Sequence, residues 1–169
     1  MEDKKKKDNV EEGVQLAAIN VANADTIDLH SRAAGEHVVA YTGYDGETGQ
    51  QLKRSLSSIA NSKVDPNNAE TNLKQQAGFS AETKTVARRN ADKILSGDKN
   101  KVTRTDDMQK QSDGKGNTVG GTNDQLYDCA EVDANGNYVE GSGSQLKYVG
   151  SSPKECTDKI LSSNYDKYH

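Results

Sequence analysis

From Val10 to Tyr41 the chain reads "VEEGVQLAAINVANADTIDLHSRAAGEHVVAY", alanine and aliphatic side chains at helical spacing with polar residues between them. This pattern predicts two helices, separated near Asn23 to Asp25, where Asp25 is placed to cap the second. "YTGYDGETGQ" predicts a turn, and Gln50 to Ala60 a further helix that ends in "NSKVDPNN", where Pro66 blocks simple continuation. A long helix follows over about Ala69 to Leu95, with Leu73, Ala77, Ala81, Ala87, Ala91 and Leu95 as its core-facing stripe. Gly78 in that helix suggests a close approach of neighbouring backbone. After Gly97 the period changes. One short strand is expected near Val102, then a mobile loop rich in glycine and polar turn formers. "QLYDCAEV", "DANGN" and "YVEGSGSQLKYVG" read as strand, turn and returning strand, with Gly141 and Gly143 marking a bulge or bend just before Gln145. In "SSPKECTDKILSSNYDKYH", Ser152 caps a helix that begins at Pro153, Glu155 completes a capping box, and Cys156, Ile160 and Leu161 form the apolar stripe, extended by Tyr165 and Tyr168. The predicted fold class is α+β: a helical N-terminal region over 1–66, then a small sheet with flanking helices over 67–169.

Composition narrows this picture. Hydrophobic residues make up 31% of the 169 positions and Trp is absent, so the core should be thin. The apolar pattern is still running at "YDKYH", and the expectation is a fragment or a subunit completed by a partner. No apolar run approaches the ~20 residues of a membrane span, and "KKKK" at Lys4 to Lys7 is followed by polar sequence; a cytoplasmic protein without a membrane partner is expected. Cys129 and Cys156 lack metal-ligand spacing and read as buried free thiols. The net charge of -4 is unevenly spread. Asp8 to Gln50 holds eight acidic residues and one base, whereas Lys84 to Lys110 holds eight bases and four acids. Such asymmetry admits a polyanion on one half, although ordinary solvated helices show it too.

The chemistry-bearing positions are few. Alternation puts Gln145 and Lys147 on one face of the returning strand, an amide and an ammonium side by side. Glu82 sits in line with Phe79 and Val86 on a helix edge, an unusual place for a purely solvating carboxylate, though a boundary glutamate whose head reaches water would also fit. Asp128 lies on the first hairpin strand; Asp133, the alternative acid, lies at the turn, where aspartate needs no catalytic account. His30 and His37 lack a third ligand, and "GKGNTVGG" lacks the strand and helix a phosphate loop requires. "RTDD", Arg104 to Asp107, reads first as a turn with a self-satisfied ion pair, and otherwise as a second acidic pair or an arginine offered to phosphate.

The order helix, short strand, hairpin, helix, with "AGFSAE", "LYD" and "SQLKY" in place, resembles the PD-(D/E)xK nuclease superfamily, in the variant where glutamine replaces the second acidic ligand. The resemblance runs over about Gln75 to Tyr168; the stretch from "QQAGFSAE" to "SQLKYVG" also looks like regions of bacterial mobile-element and toxin-like proteins. It implies a restriction-endonuclease-like core, possibly truncated at its C-terminus, that cleaves phosphodiester bonds in DNA or RNA as a toxin, defence or mobile-element effector. It further implies Mg2+ or Mn2+ held by Glu82, Asp128 and Gln145, with Lys147 orienting water or stabilising transition-state charge. The alternative on the same scaffold is a catalytically silent module that binds nucleic acid, or a protein partner through the helical N-terminal half.

Overall fold

The computed structural model describes residues 2–63, 65, 67–146 and 152–162, and of residues 2–13, 16, 156 and 160 only the backbone. Its helices are α1 (Glu2–Thr42), α2 (Leu56–Asn61), α3 (Ala69–Ser96) and α4 (Pro153–Ile160); its strands are β1 (Lys101–Arg104), β2 (Gln111–Ser112), β3 (Thr118–Val119) and β4 (Cys129–Val132). The class is α+β, with a helical N-terminal half ahead of small antiparallel sheets.

α1 is one helix. The break expected near Asn23 to Asp25 is absent, because Asn and Asp cost only a few tenths of a kcal/mol each in a helix interior and the alanine-rich flanks carry the turn through. Its described side chains are almost all exposed up to Arg32; from Ala33 onward, Ala33, Glu36 and Ala40 form the stripe that packs against α3. The helix expected from Gln50 starts later. Asp45 Oδ1 accepts the N–H groups of Glu47 (2.9 Å) and Thr48 (3.3 Å), which holds a turn, and α2 then begins behind Ser55, whose hydroxyl accepts the Ser58 N–H at 3.1 Å. α3 matches its expected bounds: Asn68 caps the start and Gly97, at φ 74°, closes the end in the left-handed conformation.

The buried face of α3 differs from the expected one. Leu73, Ala77, Ala81 and Leu95 are exposed; Ala87 is buried as expected, and its buried companions are Thr83 and Asn90. Both companions are polar and are satisfied: Thr83 donates to the Phe79 carbonyl at 2.9 Å, and Asn90 both accepts the Val102 N–H (2.7 Å) and donates to the Val102 carbonyl (3.0 Å). Hydrophobicity alone could not mark that stripe. Gly78 is exposed with no neighbour near its α-carbon, contrary to the close approach expected there.

β1 and β4 pair antiparallel, Val102 opposite Glu131 and Arg104 opposite Cys129, and the returning chain adds bridges at Val132–Tyr138 and Cys129–Ser144. The segment expected to be a mobile loop is built into the fold. It forms the β2–β3 hairpin, and Met108 and Val119 from it join Ala130 in the core, with Tyr127, Val132 and Tyr138 around them. Its turn is fixed by Asp113, which accepts from the N–H groups of Lys115 and Asn117 (2.8 Å each), and Asp133 does the same for Asn135 and Asn137 at the second hairpin tip. α4 starts as expected, Ser152 accepting the Glu155 N–H at 3.2 Å, but Leu161 is exposed and does not face a core. The side chains of Cys156 and Ile160, and all of Tyr165 and Tyr168, lie outside the described residues. Among the described residues no helix is long and apolar enough to cross a membrane.

Candidate functional site

Arg104 ends β1 and faces α3. Directly opposed residues of an antiparallel pair share a face, so Cys129 and then Ser144 point the same way, as the bond from Arg89 of α3 to the Ser144 hydroxyl (3.3 Å) requires. The register is broken just before Cys129. The N–H groups of Asp128 (2.9 Å) and Cys129 (3.1 Å) both donate to the Ser144 carbonyl, two residues against one, which is a β-bulge. A bulge of this kind turns Asp128, which strict alternation would send to the far face, toward the side of Cys129 and α3. Gly143 permits the close pairing: a β-carbon there would lie 2.6 Å from the Tyr127 ring.

Glu82 meets this corner from the helix. Arg104 Nε donates to Glu82 Oε2 at 3.2 Å and Arg104 Nη2 to Asp106 Oδ2 at 2.7 Å, with Asp107 Oδ2 3.9 Å from Nη1. Arg54, lying 3.8 Å over the Phe79 ring, adds a second guanidinium on Asp106 at 3.2 Å. Burial pushes the Glu82 carboxyl above its usual range; Arg104 opposes the shift, and the nearby carboxylates of Asp128 and Asp106 reinforce it. The Cys129 thiol is pushed up to about 12 by burial and by Glu82 and Asp128, so it is no nucleophile.

Asp128 lies near enough for its charge to act on Glu82. Gln145 follows the last ladder residue; beyond Ser144, Leu146 donates its N–H to the Asp128 carboxylate (2.6 Å) instead of to a backbone carbonyl. Strict alternation from Ser144 turns Gln145 away from α3. Gln145 Oε1 is buried and has no hydrogen-bond partner. Lys147 lies outside the described residues. Asp133 is fully employed in its turn, as its position implied.

A hard divalent cation takes oxygen ligands, and the carboxylates of Glu82 and Asp128 and the unpartnered amide oxygen of Gln145 are donors of that chemical type. Arg104 is the competing cation, since it already holds one oxygen of Glu82. Among the described residues no three His, Cys, Asp or Glu side chains are grouped as a metal site, so the third donor would have to be an amide.

The sequence pattern does not mark Arg54, and it marks Arg104 and Asp106 only as a local pair. The signal was present in "RTDD": the self-satisfied ion pair does form, but Arg104 also reaches back to α3 and is only 2% exposed. The basic segment is likewise less free than its composition suggested. Arg89 and Lys93 pair with Glu131, Lys101 with Asp45 and Glu36, and Arg104 with its acids. Compared with family models, curated proteins and solved structures, the chain matches none.

Proposed function

We propose that this chain is a nuclease-like domain acting on phosphodiester bonds of DNA or RNA, with Mg2+ or Mn2+ held by Glu82 and Asp128 and completed by Gln145. The observation that supports it most is that the charge of Asp128, at the bulge before β4, reaches Glu82 on α3 and helps to raise its pKa. A bound cation would neutralise charge on the phosphate. Arg104 fixes the Glu82 carboxylate against the strand end. Lys147, two residues past Gln145, carries the role the resemblance assigns it, stabilising developing negative charge.

The test is a thermal melt with Mn2+ or Mg2+, alongside incubation with single-stranded DNA, double-stranded DNA and RNA. A rise in the midpoint that disappears in Asp128→Asn, with metal-dependent cleavage lost in Lys147→Ala, is expected. Absence of both the shift and the cleavage would overturn the reading. One observation favours a catalytically silent binding module: Arg104 already neutralises Glu82 from within. That module would bind nucleic acid without metal, and Lys147→Ala would reduce the salt dependence of binding by about one phosphate contact.

A further inference from the structure

Just after β3 the chain turns through Gly120, Gly121 and Thr122, with both glycines at positive φ, 93° and 85°. Two lysines from distant parts of the sequence meet this turn. The stem of Lys110 lies flat on Gly121: a β-carbon there would stand 2.9 Å from its Cε and 3.0 Å from its Cγ, so the bare glycine is what admits it. Lys53 reaches the next residue, its ammonium donating to the Thr122 hydroxyl at 3.0 Å. Lys53, Lys110 and Thr122 are all exposed. Acids are close by, yet among the described residues neither ammonium pairs with one. Asp107 accepts the backbone N–H of Lys53 at 2.7 Å, while the ammonium of that same residue goes to a neutral hydroxyl. Asp106 is held by Arg54 and Arg104 and accepts the Asn123 N–H, and Asp124 is taken up by the N–H groups of Gly120, Leu126 and Tyr127.

Arg89, Lys93 and Lys101 all have carboxylate partners, so two unpaired cations on one turn stand out in a chain of net charge -4. The Thr122 hydroxyl accepts from Lys53 and so has its own proton to offer, which adds a third donor. Such a surface suits an anion. Its donors stand on open surface, and a flexible ammonium acts as a point charge; that is how the phosphates of a nucleic-acid backbone are held, in place and without reading sequence. We propose that Lys53, Lys110 and the Thr122 hydroxyl form a contact site for the phosphate backbone of a nucleic-acid strand. The site rests on the nuclease-like reading and deepens it by saying where the strand lies. Asn123, beside Thr122, donates to Asp106, and Asp106 is joined through Arg104 to Glu82.

The experiment follows binding of a fluorescein-labelled single-stranded oligonucleotide to the full chain by fluorescence anisotropy, in EDTA so that no cleavage intervenes, from about 50 to about 200 mM NaCl. The logarithm of the affinity should fall linearly with that of the salt concentration. Lys53→Gln combined with Lys110→Gln should reduce the slope by about 1.4, roughly 0.7 for each phosphate contact on a single strand. Lys84→Gln combined with Arg88→Gln removes two exposed cations from α3 and leaves the turn untouched, so its slope should stay near the native value. Thr122→Val should weaken binding without changing the slope, since the hydroxyl carries no charge. Circular dichroism melts confirm that each variant is folded. No binding by the native chain at the lowest salt, an unchanged slope in the lysine variant, or an equal loss in the α3 variant overturns the proposal. So does displacement of the oligonucleotide by inorganic phosphate beyond that caused by chloride at equal ionic strength, which would make the turn a site for the free ion. Metal-dependent cleavage lost in Asp128→Asn, with the slope of the lysine variant unaltered, overturns this site alone; the expected slope change without cleavage in metal overturns the nuclease-like reading alone.

Discussion

β1 carries a cation at each end, and the two ends behave in opposite ways. At Lys101, the ammonium reaches Asp45 directly and stands 3.8 Å from Glu36, tying the turn after α1 to the strand. Burial alone would raise the Asp45 carboxyl, but hydrogen bonds from Lys101 and Thr48 outweigh it and hold it below the usual range. At Arg104, the guanidinium is shared among Glu82, Asp106 and the more distant Asp107, and burial with neighbouring carboxylates leaves Glu82 above the usual range. Ion pairing is common to both. What differs is how far hydrogen bonds offset burial: at Asp45 they outweigh it, whereas at Glu82 burial and the neighbouring carboxylates outweigh the Arg104 contact, which is the condition for taking on a proton.

The most severe way to break this comparison is Arg104→Met. It would leave Glu82 and Asp106 crowded without their buried partner, and a loss of about 3–5 kcal/mol at neutral pH is expected in urea unfolding. A variant as stable as the native chain would mean that the acids are solvated and the corner is not electrostatically loaded. Asp45→Asn is a smaller change, about 1–3 kcal/mol, since it removes charged hydrogen bonds at a partly open lysine. The folded pKa of Asp45 is depressed, so its contribution is present above the ordinary carboxylate range and disappears as pH falls through the folded value. Native and variant stabilities should therefore converge in acid. Glu82→Gln sharpens the contrast with the least effect. With a raised folded pKa, the contribution of Glu82 is present below its ordinary value and lost as pH rises through the folded one. At neutral pH the variant should lie within about 1 kcal/mol of the native chain, and toward acid it should fall behind. A loss at neutral pH as large as that of Asp45→Asn would show that both carboxylates serve only to hold the strand.

Local signals carried much of this fold. Capping residues, turn aspartates and helical runs act over a few positions, so α3, the β4 hairpin and the start at Pro153 could be read directly from the sequence. Tertiary decisions were hidden. Thr83 and Asn90 look like surface residues until the strand that Asn90 bonds is in place, and "DDMQKQSDGKGNTVGG" looks mobile until Met108 and Val119 meet Ala130. At the candidate site, Glu82 is legible as an oddly placed carboxylate and Asp128 only through its place in the hairpin, and the bulge at Asp128 depends on a shared carbonyl at Ser144, which no residue pattern reveals. Arg104 was taken for half of a local pair because its second partner is 22 positions away in the chain.

Asn90 has one more effect, on what the protein avoids. The outward N–H and C=O of Val102 belong to the free edge of a sheet, where another extended chain could add itself. By presenting an amide that both donates and accepts, α3 imitates one residue of a neighbouring strand and closes the edge at its middle. With β1 only four residues long, that single stopper is enough to deny an incoming strand its register. The side chain that helps seat the helix thereby also guards the sheet against uncontrolled growth into aggregates.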